Sequence, residues 1–219
     1  MHIEKRFPGE LRLCHRQWTK NPAETTGKSY KNVNLVTRTQ KWMGSVGCFG
    51  QIENIKRQSL ITLASDGDAL TGLWFDGQKY FAGNIDDEIE EKDLPVFAQA
   101  RQWLDIYFSG HDPGFIPALK LDSTPFRRVV WEILLTIPFG KTMTYGEIAD
   151  CIAEMKGVRR MSAQAVGHAV GHNPISLIIP CHRVIGADGS MTGYAGGIDR
   201  KIKLLEMERA DTYKFNQFH

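Results

Sequence analysis

A cysteine and a histidine stand side by side in Ile179-Pro180-Cys181-His182-Arg183-Val184, directly after a short apolar run. A thiol is a useful nucleophile only as thiolate, and an imidazole is one of the few groups able to take its proton at neutral pH. The pair points to cysteine chemistry. Two plainer readings fit the same residues. A cysteine behind Ile175, Leu177, Ile178 and Ile179 can be a small buried hydrophobe. His168 and His172, four apart and on one face of any helix there, could instead join Cys181 at a zinc ion. Their spacing is not that of a structural finger, and adjacent Cys181 and His182 cannot easily both reach one ion. Spacing alone leaves the three readings open.

The elements around the pair decide how it can be held. The run Ile175 to Ile179 predicts a strand that Pro180 ends, because proline lacks an amide hydrogen and fixes its own φ. Cys181 and His182 then fall in a turn, where neighbouring side chains can cooperate as they cannot along a strand. Upstream, Thr124-Pro125 reads as an N-cap and first-turn proline, and Phe126, Val129, Val130, Ile133 and Leu134 form the apolar stripe of a helix ending before Pro138. Thr144-Tyr145-Gly146-Glu147 fits a capping box, opening a helix that Gly157 terminates. A third helix, from about Ser162 to Val170, is rich in small residues, among them Ala163, Ala165, Gly167 and Ala169. The two short helices suggest a helix-turn-helix whose second member can approach a surface closely, although a tightly packed core helix has the same pattern. After the pair, Gly193-Tyr194-Ala195-Gly196-Gly197 leaves room for a ligand, and a final helix spans about Asp199 to Ala210. It ends with Glu206 and Glu208. Surface glutamates are usually only solvated, but one directed at His182 would orient the imidazole.

The first half is organised differently. About forty polar, irregular residues come first, and residues 1–45 read as a leader, followed by an N-terminal α/β domain over 46–117 and a second domain over 118–219. Thr25 to Ser29 ends like a phosphate loop but lacks its first glycine. Leu60 to Ala64, Leu70 to Phe75 and Lys79 to Ala82, separated by Asp66-Gly67 and Asp76-Gly77, predict a three-stranded antiparallel meander. An acidic loop from Asp86 to Asp93 leads to a helix with Pro95 in its first turn and Ser109-Gly110 at its end.

With 219 residues and 42% hydrophobic content, the chain can bury a sizeable core. It has no stretch of membrane-spanning length and no signal-peptide core, so no membrane partner is expected. Cys14, Cys48, Cys151 and Cys181 form no close-spaced framework, which suits free thiols in a reducing compartment. A net charge of +2 neither requires nor excludes nucleic acid. All of the excess lies from Leu121 onward, where Arg127, Arg128, Lys156, Arg159 and Arg160 could form a patch or only solvated helix faces.

Taken in order, Tyr145-Gly146-Glu147-Ile148-Ala149, Ala165-Val166-Gly167, Asn173-Pro174-Ile175, Pro180-Cys181-His182-Arg183-Val184 and Gly193-Tyr194-Ala195-Gly196-Gly197 resemble the O6-alkylguanine-DNA alkyltransferases, continuously from about Leu121 to Arg209. The resemblance implies an α/β fold: a small N-terminal domain with an antiparallel, ribonuclease H-like sheet, and a mostly helical C-terminal domain with a winged-helix-like helix-turn-helix. It implies single-use direct-reversal repair, with transfer of an alkyl group from O6 of guanine, and from O4 of thymine, to Cys181. His182 would take the thiol proton through a water and Glu208 would hold the histidine. Tyr145 would assist extrusion of the nucleotide, and Asn173 would brace the turn. The carbonyls of Cys181 and Val184 would read the guanine amino group, while Tyr194, Ala195 and Gly196 close the pocket. Ala163, Gln164, Gly167 and Arg183 fall among the DNA-binding positions. The implied partner is double-stranded DNA carrying O6-alkylguanine, bound by a monomer without cofactor or metal, in the cytoplasm of a bacterium or the nucleus of a eukaryote. Cys14 and Cys48 have no convincing partner histidines for the zinc site that some members carry. Such proteins must flip the base, and the small residues suit a minor-groove approach. One position departs from the family: Gln164 stands where an arginine commonly fills the gap left by the flipped base. Two rivals remain, a non-catalytic alkylguanine binder, in which the cysteine is replaced, and a zinc-dependent DNA-binding protein.

Overall fold

The computed structural model describes residues 34–39, 61–83, 89–191 and 193–210. Four strands form the first sheet: β1 (Asn34–Thr39), β2 (Ile61–Ser65), β3 (Leu70–Phe75) and β4 (Ile89–Glu91), in the order β3-β2-β1-β4. β2 pairs antiparallel with β1 and β3, and β4 runs parallel to β1. The first two strands of the predicted meander are therefore present. The third is not. Gln78 turns the chain back, its Oε1 accepting from Phe75 N at 3.0 Å and its own N–H donating to Phe75 O at 3.1 Å. Tyr80 and Ala82 then take φ of 62° and 52°, which no strand accommodates. The sheet is completed instead by β1, from the stretch read as a leader, and by β4, from the stretch read as an acidic loop.

Helix α1 (Pro95–Phe108) starts at proline and buries Val96, Phe97, Ala100, Trp103, Leu104, Tyr107 and Phe108. Gly110, at φ 84°, releases the chain beyond it. Helix α2 (Pro125–Leu135) is capped by Thr124, whose Oγ1 accepts from Arg127 N. Strand β5 (Met143–Thr144) runs into α3 (Tyr145–Met155), where both bonds of the capping box form, Glu147 N to Thr144 Oγ1 at 3.1 Å and Thr144 N to Glu147 Oε2 at 2.7 Å. Such a cap stabilises a helix start by about 1 kcal/mol. Helix α4 (Ala163–Gly171) is capped by Ser162, and Trp131 of α2 donates from Nε1 to Ala169 O at 2.9 Å, fixing the helices together. A short 3-10 helix (Cys181–Arg183), strand β6 (Val184–Ile185) parallel to β5, and α5 (Ile198–Met207) complete the order.

The run Ile175 to Ile179 is not the predicted strand. Ile175 bridges Leu73 of β3, with Leu73 N donating to Pro174 O and Ser176 N donating to Leu73 O, both at 2.9 Å. The chain then turns at once. Leu177 adopts φ 69°, and Ile179 N donates back to Ile175 O at 3.1 Å. All five residues are buried, so the continuous apolar pattern is that of a buried turn, which periodicity cannot tell from a buried strand. Its position against β3 sets one core under both halves of the described chain.

Candidate active site

Asn173 holds the turn that presents Cys181. Its Oδ1 accepts from Ile175 N at 3.0 Å, and its Nδ2 donates to Ile179 O at 2.8 Å and to Cys181 Sγ at 3.1 Å. Pro180 precedes the 3-10 turn, whose three residues are all buried. Burial pushes the Cys181 thiol up, while the Asn173 amide and the Lys201 ammonium pull it back down. Lys201 is fully buried and donates from Nζ to Val184 O at 2.5 Å, and burial holds its pKa down to about 8.

His182, also fully buried, faces Glu208, the residue just past α5. Nε2 lies 2.7 Å from Glu208 Oε1. The carboxylate also accepts from Tyr107 OH at 2.6 Å, Gly140 N at 3.1 Å, Arg183 Nε at 2.9 Å and Arg183 Nη2 at 3.1 Å. Burial alone would raise its pKa, but His182 and Arg183 hold it well below the usual carboxylate range. Glu208 is therefore an anion that accepts only, which puts the imidazole proton on Nε2. Burial outweighs Glu208 and keeps the His182 pKa below its ordinary value. Its Nδ1 is buried with no hydrogen-bond partner among the described residues. Burial thus favours the neutral form of both the Cys181 thiol and the His182 imidazole, the latter with one basic nitrogen.

Two tyrosines flank the thiol. Tyr145, first residue of α3, is half-buried and its hydroxyl pKa is raised, by burial and then by Cys181. Tyr194 has a buried hydroxyl without a hydrogen-bond partner among the described residues, and burial raises its pKa well above the usual value. A Cβ at Gly196 would meet the Tyr194 ring at 2.6 Å, so glycine there is what lets the ring lie close. A Cβ at Gly193 would come within 3.2 Å of the Tyr145 hydroxyl, at a φ of 76°. Ala195 O accepts from Lys79 N at 3.0 Å, tying this loop to the turn after β3. On α4, Ala163, Gln164 and His168 are exposed, and Gly167 packs against the Tyr145 ring. An open groove of about 450 Å³ between α4 and the start of α2 is lined by Gln164, Ala165, His168, Thr124, Phe126 and Arg127, among others.

Models of two domains match the chain: the ribonuclease-like domain of 6-O-methylguanine DNA methyltransferase over residues 60–122, and its DNA binding domain over residues 125–210. A methylated-DNA–protein-cysteine methyltransferase of Mycobacterium bovis is 46% identical over 150 residues, covering 68% of this chain and 86% of that one. The chain belongs to the O6-methylguanine DNA methyltransferase family. Curated methyltransferases of Haemophilus influenzae, 41% identical, and Methanosarcina mazei, 44% identical, each cover 68% of this chain and 80% and 89% of their own lengths. The crystal structure of Mycobacterium tuberculosis OGT in complex with DNA is 45% identical and covers 68% of this chain and 86% of that one, with a TM-score of 0.59. The ribonuclease-like sheet and the helical DNA-binding half expected from the sequence are those of this methyltransferase family.

Of the residues singled out in the sequence, Cys181, His182, Glu208, Asn173, Tyr145, Tyr194 and Val184 converge on one site. Arg183, expected among the DNA-binding positions, is turned inward. It is 8% exposed, and its guanidinium is spent on Glu208 and on Ile137 O, the latter at 2.6 Å. His168, His172 and Cys181 form no metal-holding group among the described residues: the two imidazoles stack on each other at 5.5 Å, and Cys181 is engaged by Asn173. Cys14 and Cys48 lie outside the described residues. Among the described residues, no helix is long and apolar enough to cross a membrane. Sequence reasoning missed Tyr107 and Lys201. Lys201 carried a signal, since it shares the face of Leu204 and Leu205 at helical spacing.

Proposed function

We propose that Cys181 is the alkyl acceptor of this methyltransferase and that His182, held by Glu208, is its base. The chain is a methylated-DNA–protein-cysteine methyltransferase that repairs O6-methylguanine in DNA. The observation that supports the residue assignment is the Glu208 carboxylate, which accepts from His182 Nε2 and leaves Nδ1, buried and with no hydrogen-bond partner among the described residues, as the basic nitrogen of the residue next to Cys181 in the chain.

The step balances on these groups. The Cys181 proton passes through a water to His182 Nδ1, and the thiolate attacks the methyl carbon. The S–C bond forms as the C–O6 bond breaks, and its electron pair enters the guanine ring, where the Tyr145 hydroxyl supplies a proton to the ring nitrogen. Tyr145 recovers its proton from solvent-connected groups as His182 returns to neutral, so transfer is proton-neutral overall. The product thioether has no leaving group for a second cycle, and each molecule acts once.

Reaching O6 requires the nucleotide to leave the stack. The small residues of α4, the exposed Ala163 and the half-buried Gly167, suit close approach to the groove of double-stranded DNA, with Gln164 at the gap left by the base. Val184 O already accepts from Lys201, and its second lone pair remains for the guanine amino group. Tyr194, Ala195 and Gly196 close the pocket, and the protein acts as a monomer.

Incubation with duplex DNA carrying radiolabelled O6-methylguanine tests this reading. We expect one methyl per protein, none in Cys181→Ala, and slowed transfer in His182→Gln and Glu208→Gln. Several methyls per protein, or transfer that survives Cys181→Ala, would overturn it.

A further inference from the structure

We infer that Tyr107 is a positioning residue for methyl transfer: its hydroxyl, delivered by helix α1 of the ribonuclease-like half, fixes the Glu208 carboxylate and through it the proton on His182. The inference rests on the assignment of Cys181 as acceptor and His182 as its base.

Tyr107 is completely buried. Its hydroxyl lies 2.6 Å from Glu208 Oε1 and 3.1 Å from His182 Nε2, and so closes a triangle with the 2.7 Å contact between those two. Only one proton arrangement satisfies all three sides. A phenol has one hydrogen, and the carboxylate has none to give. If the phenol donated to Nε2, then Oε1 would face both a bare phenol oxygen and the unprotonated edge of the ring at hydrogen-bond distance. With Nε2 protonated, both Nε2–H and the Tyr107 O–H donate to Oε1, and the phenol oxygen offers its lone pair back to Nε2–H. Glu208 thus sets the proton on Nε2, and Tyr107, with its one hydrogen committed to the carboxylate, accepts from Nε2–H and does not offer the donor that the tautomer protonated on Nδ1 would need.

The ring is held so that the hydroxyl cannot swing away. Trp103 stacks on it at 5.0 Å and 11°, while Phe108 and Phe139 meet it edge-on at 5.5 and 6.0 Å. Phe139 is itself covered by the Arg183 guanidinium. The hydroxyl also takes part of the Glu208 charge. A carboxylate with one donor fewer pulls harder on the imidazole, so it favours imidazolium, which has no lone pair for the thiol proton. Other charges facing His182 are Arg183 beside it in the chain and Lys201 on α5, both of which oppose imidazolium. The Tyr194 ring meets the imidazole edge-on at 6.5 Å. Tyr107 and the two cations therefore act in the same sense, against Glu208. The Tyr107 hydroxyl alone among them comes from the ribonuclease-like half.

The test is Tyr107→Phe, which keeps the ring and removes the hydroxyl. Single-turnover transfer from duplex DNA containing O6-methylguanine is followed from pH 5 to 9, alongside affinity for undamaged duplex. The rate constant at neutral pH should fall about tenfold, a fraction of the ~10² to 10⁴ a positioned base supplies. Affinity should stay unchanged, and the acid limb of the rate profile should move to higher pH, so that the deficit shrinks at pH 9. An unchanged profile, or a drop of equal size at every pH, would overturn the inference. Replacing Tyr107 by 3-fluorotyrosine, a stronger donor of nearly the same shape, keeps the question open to test if the phenylalanine variant does not fold. It should move the acid limb to lower pH, and no movement would overturn the proposal. Failure of wild-type Cys181 to take up methyl would instead remove the acceptor assignment itself, which distinguishes the two outcomes.

Discussion

Glu208 and Gln164 belong to the same half of the molecule and are built on opposite terms. Glu208 is 3% exposed and accepts from Tyr107, Gly140, His182 and, twice, Arg183. Gln164 stands in the open on a short helix of small residues, beside a groove that solvent fills. The buried centre is thus fully hydrogen-bonded around Glu208 within the protein, whereas Gln164, on the helix we propose faces DNA, is left exposed. Preorganised groups need no rearrangement at the moment of reaction, which is where an enzyme gains most from a buried polar network. A surface that must slide along undamaged DNA gains from having few fixed contacts.

The contrast breaks most visibly if Glu208 is removed. Glu208→Ala leaves the Arg183 charge buried and unpaired, and should cost about 3 to 5 kcal/mol in chemical denaturation, the usual penalty for breaking a buried pair. Gln164→Ala should stay within about 0.5 kcal/mol, as exposed substitutions do. Acid sharpens the same point. The Glu208 pKa is lower in the folded protein than in the unfolded chain, so the unfolded chain binds the extra proton. The stability it contributes is complete above the ordinary carboxylate value of 4.5 and is lost as pH falls towards its folded pKa. Urea midpoints measured from pH 6 to 3 should fall in the wild type, and fall less in Glu208→Gln.

Asn173→Ala should rank next, at about 2 to 3 kcal/mol, because it strands buried backbone groups at Ile175 and Ile179. It also removes a donor to Cys181 Sγ, so the thiol pKa, followed by alkylation rate against pH, should rise.

Lys201→Met tests whether a buried charge serves the thiol or only the fold. The wild-type ammonium has a folded pKa of about 8 against 10.5 for the free side chain. Between those values the unfolded chain binds more protons, so wild-type stability should rise with pH there, whereas the variant should lack that rise. The thiol of the variant should titrate higher, since the Lys201 charge that lowers it is gone. The smallest effect belongs to the DNA face. Gln164→Arg should tighten binding to undamaged duplex and steepen the dependence of log affinity on log salt by about one, with the methyl-transfer step itself unchanged.

How far the sequence could be read follows the same division. Cys181 and His182 were legible as chemistry, and the Thr144 capping box as geometry, because both depend on short spacings, whereas Glu208, 26 residues beyond His182, was singled out only through the family resemblance. Residues 175–179 were misread because the Asn173 side chain takes the Ile175 N–H and lets the chain turn, a tertiary choice that leaves no mark on an all-apolar run. Tyr107 was hidden for the opposite reason: at helical spacing beside Trp103 and Leu104 it is indistinguishable from core, and only the fold carries its hydroxyl to Glu208. Arg183 falls among the DNA-binding positions by resemblance, and its inward pairing is not legible because its partner lies 25 residues further along the chain. β1 escaped notice because a strand whose neighbours are distant in sequence has no hairpin turn to announce it.

The central claim is that one buried thiol, prepared by His182 and Glu208, is consumed in a single transfer. The most direct measurement is peptide mass spectrometry after incubation with duplex DNA containing O6-methylguanine. The expected result is a single added methyl group on the peptide containing Cys181, reaching one per molecule and no further. Methyl on another residue, or repaired DNA in excess of protein with Cys181 unmodified, would contradict it.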